Sequence, residues 1–173
     1  MSTEEFMKQQ YITLRDEIRG AKVRMFGLLV LVAVFVPLTA FLAQRFEAVY
    51  AAASMPFVVL VFMLAFIMEQ NSVIRAGRYL KEHVEPHIET AVTWEKWLES
   101  NRHLRDADRY FFGSVVLIFF LFYAIGAVLA VQSWAESEWQ QHMWPAAAAY
   151  GIGGLWFIVV LLRHWHSCTT TQG

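Results

Sequence analysis

Polar and apolar positions along this chain are sorted into long blocks. Four stretches carry no Asp, Glu, Lys or Arg: Met25–Gln44, Ala48–Met68, Tyr110–Ala135 and Gln140–Leu162. Each reaches the roughly 20 residues that a helix needs to cross a hydrocarbon core of about 30 Å. Outside these blocks the pattern becomes periodic. Met7, Tyr11, Leu14, Ile18, Ala21 and Met25 recur by steps of four and three. That is the spacing of an apolar seam, and it predicts an amphipathic helix over 4–24 that packs on a neighbour. The same steps join Phe62, Phe66, Glu69, Val73, Gly77, Leu80 and Val84, so the second span should continue as a helix well past its apolar end. Arg75, Arg78, Glu82 and Glu85 fall off this stripe. Arg78–Glu82 and Lys81–Glu85 have the i, i+4 spacing of surface ion pairs.

Local signals refine the boundaries. Ser54-Met55-Pro56 reads as a capping residue with proline in the first turn, which predicts a start for the second span there. Nothing then interrupts the helix until Pro86. Pro37 lies inside the first span and should kink it. Thr93 is expected to cap a short helix carrying Trp94, Trp97 and Leu98 on one face, a cover or interfacial segment. The third span's helix should begin at Leu104. Gly126 and Ala130 in that span, and Ala147, Gly151 and Gly154 in the fourth, are small residues at packing intervals, expected to bring these two helices together. Leu14-Arg15-Asp16-Glu17-Ile18-Arg19 and Leu104-Arg105-Asp106-Ala107-Asp108-Arg109 share an L-R-D-x-x-R pattern, each ahead of a Phe-Gly pair, which hints at a duplication.

Charge sets an expected orientation. Of 14 Lys and Arg, only Arg45 lies in the segments after the first and third spans; the other 13 lie in residues 1–24, 69–109 and the tail. The positive-inside rule makes that side cytoplasmic, with both termini inside. The predicted organisation is therefore a cytoplasmic amphipathic helix (1–24), a transmembrane hairpin (25–68), a cytoplasmic helical segment (69–109), a second hairpin (110–162) and a cytoplasmic tail (163–173). The fold class is an all-α membrane protein with four transmembrane helices in two hairpins and cytoplasmic helical extensions. Composition agrees: 57% of residues are hydrophobic and 17% charged, against roughly 45–50% and 25% in soluble domains.

The chemistry on offer is sparse. One cysteine, Cys168, excludes an internal disulfide, and a net charge of −1 offers no bulk attraction to nucleic acid. Proton and ion coupling needs ionisable groups within the membrane, and the four spans hold none. Glu69 sits at the inner end of the second span and Asp108 and Arg109 at the start of the third; Glu69 should pair with an arginine such as Arg24, Arg105 or Arg109. His83 and His87 are four apart, but Pro86 between them breaks the helical geometry that a shared metal needs. No nucleophile elbow, phosphate loop or Cys/His pair appears. No catalytic residue, cofactor or metal is expected. The residues expected to matter for assembly are Glu69, Arg75, Arg78, Asp108, Arg109, Trp94, Trp97 and Pro86.

Glu69-Gln-Asn-Ser72, Arg75-Ala-Gly-Arg78-Tyr-Leu and His83-Val-Glu-Pro86 resemble a family of uncharacterised bacterial four-transmembrane-helix inner-membrane proteins. The resemblance implies a multi-pass protein of the bacterial inner membrane and brings no activity, cofactor or site. The expected function is that of a non-enzymatic membrane scaffold or interaction protein whose cytoplasmic bundle binds a protein partner or another copy of itself, in a homo-oligomer. The alternative is an oligomeric channel or pore-forming effector. Such a pore would need several copies, because four spans without polar faces cannot enclose water within one chain. The lipid bilayer is the expected surrounding in either case.

Overall fold

The structure is a computed structural model that describes residues 3–46, 48–87, 102–138 and 140–170, with side-chain surroundings over 5–46, 48–87, 110–138 and 140–163. The described residues are all-helical. They form α1 (Thr3–Arg45), α2 (Val49–Tyr79), α3 (Arg102–Glu136) and α4 (Met143–Thr170). A π-helical turn (Leu80–Val84) and a 3-10 turn (Glu85–His87) extend α2, and a 3-10 turn (Gln140–His142) precedes α4. All four long helices are long and apolar enough to cross a membrane. At about 1.5 Å per residue, the 43 residues of α1 extend roughly 65 Å, about twice a hydrocarbon core. The amphipathic segment over 4–24 and the first apolar block are thus one uninterrupted helix.

Two boundaries differ from expectation. The second helix starts at Val49, so Pro56 lies inside it rather than at its start. Ser54 donates its hydroxyl to the carbonyl of Ala51 and caps nothing. Pro37 likewise sits within α1. Each proline removes one N–H from the ladder, and in both helices the apolar block runs on regardless. The α-helical part of α2 also ends earlier than expected, at Tyr79. The next turn is π-helical, closed by the Glu85 N–H donating to the carbonyl of Leu80. Pro86 then falls in the 3-10 turn.

By compactness the chain divides into two units, one of Met1–Leu31 with Leu64–Leu117, the other of Val32–Met63 with Ile118–Gly173. In the first, Ile18 of α1 packs with Ala76, Leu80 and Val84, flanked by Tyr11, Leu14 and Val73. These are the two predicted seams meeting. Phe66 stacks on Phe112 of α3, with ring centroids 6.4 Å apart.

In the second unit Val32, Val36, Ala52, Val59, Phe119, Tyr123, Ala130 and Phe157 are buried. Phe35 meets Phe62 edge-on, and Tyr123 stacks on Phe157. The atoms nearest to Gly126 belong to Met55 and Pro56 of α2. The small residues that receive α3 are Gly153 and Gly154, both against the ring of Tyr123, while Gly151 faces open space.

Among the four, α2 is the most enclosed: 44% of its most apolar 18 residues are buried, against 28% in α3 and 11% in α1 and in α4. Large apolar side chains lie exposed along the others, among them Val34, Leu38 and Phe41 on α1 and Ile152, Leu155 and Val159 on α4. Patches of that kind are rare on water-exposed monomers and suit contact with lipid.

Candidate functional site

The sequence points first to Glu69, one residue beyond the second charge-free block. In the first unit it meets Arg24, one residue before the first block. The guanidinium donates from Nε to Oε1 at 2.7 Å and from Nη2 to Oε2 at 2.8 Å. This is the paired, planar geometry that favours Arg with carboxylate. The hydrogen bonds from Arg24 hold the Glu69 carboxyl below its ordinary value of 4.5, with partial desolvation opposing them. Hydrogen bonding to Glu69 raises Arg24 in turn. Arg24, one of the arginines expected as partners, is thus brought to Glu69, while the side chains of Arg105 and Arg109 lie outside the described residues.

A second pair was not anticipated. Glu85, expected on the solvent face beside Lys81, is only 3% exposed. Its Oε1 lies 3.8 Å from Nη2 of Arg15. The π turn explains the difference. It closes an i to i+5 bond and so holds one residue more than an α-turn. That residue brings Glu85, as well as Val84, round to the face of Leu80 and toward α1. Arg15 donates from Nε to the Tyr11 hydroxyl at 3.2 Å, and its guanidinium carbon lies 5.2 Å from the centre of the Tyr11 ring. Nearby, Gln10 donates to the Tyr79 hydroxyl at 2.9 Å, and Tyr79 stacks on His83. His87 Nδ1 lies 3.0 Å from the His83 carbonyl. Among the described residues, no three of His, Cys, Asp and Glu gather as metal ligands.

The remaining candidates are distributed differently. Arg75 and Arg78 are exposed on α2, and Pro86 is exposed in the 3-10 turn. Asp108 and Arg109 lie in the helical backbone of α3, their side chains outside the described residues; Trp94, Trp97 and the short helix expected after Thr93 also lie outside them.

The second unit holds a polar network that the distribution of charged residues does not mark. Tyr123 donates to the backbone carbonyl of Tyr150, and Tyr150 donates to the carbonyl of Ala53 at 2.9 Å. Trp134 Nε1 donates to the Tyr150 hydroxyl at 3.4 Å. One hydroxyl thereby ties α2, α3 and α4 together. The available signal was a tyrosine in mid-span: a hydroxyl surrounded by apolar positions must find a partner.

The same unit also has a recess of about 690 Å³ where α1 and α3 end and α2 begins. Ala43, Ala52, Met55 and Leu129 contribute apolar walls, and Gln44, Gln132, Glu136 and Glu138 polar ones. No protein-family model, curated protein or solved structure matches the chain.

Proposed function

We propose that this chain is a non-enzymatic, multi-pass scaffold or interaction protein of the bacterial inner membrane. In this reading both termini are cytoplasmic, the spans form two hairpins, and the helix ends of the first unit bind a protein partner or a second copy. The observation that carries it is the use made of the charged candidates. Glu69 is held by Arg24 and Glu85 faces Arg15, so these carboxylates join helix to helix rather than line an open polar cavity. The exposed side of α2 beyond the apolar block is a mixed ridge of Arg75, Arg78, Tyr79 and Glu82. Charges of both signs around an aromatic ring suit a protein surface better than a lipid or nucleic-acid one. The grouping of 13 of 14 basic residues supports the orientation.

The test combines assembly with flux. Full-length protein in detergent is cross-linked and weighed by native mass spectrometry, alone and with a membrane extract. The reading predicts a defined homo-oligomer or a recurrent protein partner, lost in the Arg75→Glu/Arg78→Glu variant without loss of thermal stability. Liposomes containing the protein should show no ion flux. Flux from a closed ring of copies would establish the pore reading instead. Reporters fused at the two ends should both read cytoplasmic; opposite readings would refute the orientation.

A further inference from the structure

The π turn beyond α2 sets two helical registers against each other. In an α-helix each position after Leu80 turns by about 100°, so Val84 would lie about 40° from Leu80 and Glu85 about 140° away. Glu85 would then fall on the outer face, one turn from the exposed Lys81. The structure holds the other register. The Glu85 N–H reaches the Leu80 carbonyl, five positions back, and five residues of such a turn span little more than one revolution. Glu85 is thereby turned inward and 3% exposed, with Oε1 3.8 Å from Nη2 of Arg15.

Three observations keep an exchange between these registers local. Leu80 and Val84 are both buried, and four residues make close to one full turn in either register, so their seam with Ile18 and Tyr11 stays closed. Pro86, next in the chain, has no N–H and adds no bond that fixes the register. Arg15 is held by Tyr11 through both hydroxyl and ring, so it keeps a partner when Glu85 turns away. The two positions of the carboxylate also balance. Inside, it gains the guanidinium and loses water; outside, it regains water and meets Lys81. Desolvation offsets much of the Coulomb gain of a buried pair, which brings the two positions close in free energy.

We propose that the π turn is a two-position latch between α1 and α2. Glu85 passes from Arg15 on α1 to Lys81 on its own helix as its N–H moves from the Leu80 carbonyl to that of Lys81. The inward position ties the two helices through charge, and the outward one releases that tie while the apolar seam stays shut. The latch does not rest on the scaffold reading, because every contact in it lies within one chain.

The test is carboxyl footprinting. Full-length protein in detergent is treated with a water-soluble carbodiimide and glycinamide, and labelling of each carboxyl is followed by peptide mass spectrometry. Glu17, exposed on α1, is the internal reference. In the unsubstituted protein Glu85 should label, more slowly than Glu17. Its rate should rise several-fold in Arg15→Met, which removes the inward partner, and fall in Lys81→Met, which removes the outward one. Deleting Glu82 takes the extra residue out of the turn, so that a regular α-helix points Glu85 inward. Labelling of Glu85 should then be lost. No labelling in either the unsubstituted protein or Arg15→Met would fix the carboxylate inside and overturn the proposal. An unchanged rate in Lys81→Met, or an undiminished one after the deletion, would overturn it too, since the opening would owe nothing to register.

Discussion

Arg15 on α1 and Glu85 beyond the π turn of α2 lie 3.8 Å apart, with the glutamate side chain 2% exposed and the arginine 26%. Removing the cation from a buried carboxylate exposes its desolvation cost. Arg15→Met should therefore destabilise the protein by about 1–3 kcal/mol. The Arg15→Met/Glu85→Met double variant should recover much of that loss, since it removes the buried charge together with its partner. Thermal unfolding of the purified variants, arranged as a double-mutant cycle, measures the coupling.

The Arg24–Glu69 pair sets a pH dependence. The carboxyl titrates below its ordinary value of 4.5 because Arg24 hydrogen-bonds its charged form. A depressed pKa stabilises the fold in full above the unfolded value and loses that stabilisation as pH falls through the folded one. Melting temperature should accordingly drop as pH is lowered below about 4.5, and the drop should be smaller in Glu69→Gln. Because Arg24 is more than half exposed, the effect should shrink with added salt. An unchanged pH profile in the variant would contradict this role.

Tyr150 joins three helices through one oxygen, donating to Ala53 and accepting from Trp134. Hydrogen bonds between membrane helices contribute about 0.6 kcal/mol on average and up to about 1.7. Tyr150→Phe should lower stability by an amount in that range, and Trp134→Phe by less, because its bond is the longer one. Unfolding in mixed micelles provides the comparison.

Glycines three positions apart on α4 should differ in their tolerance of a side chain. A Cβ on Gly154 would approach Tyr123 Cε1 to 3.1 Å, whereas one on Gly151 would meet nothing within 4 Å. Gly154→Val should cost about 1–3 kcal/mol through overpacking. Gly151→Ala should change stability by no more than about 0.5 kcal/mol. Thermal unfolding of the two variants in detergent distinguishes them. A loss of oligomer in Gly151→Ala without a change in monomer stability would show that this open position faces a second copy.

The linear order of residues was enough to determine the four apolar helices, because a charge-free run of twenty or more is read without knowing any neighbour. It was also enough for the seams at Ile18 and Leu80, since a repeat of 3.5 to 3.6 residues marks one face of any continuous helix. The prediction held as far as the helix stayed regular. At Leu80 the backbone becomes π-helical, and the extra residue in that turn moved Glu85 from the expected solvent face into the fold. No periodicity computed on an α-helix carries that shift.

Partner choice belonged to the tertiary structure as well. Three arginines were expected as possible partners of Glu69, and the packing of α1 on α2 brings Arg24 to it. The small residues of α3 and α4 were visible as small, but their neighbours were decided by how the helices pack: Gly126 met Met55, and Gly153 and Gly154 met Tyr123. Composition along the chain determines what must leave water, because transfer free energy depends on each side chain by itself. Which polar groups face one another, and where a cavity remains, depends on relative helix rotation, which only packing decides.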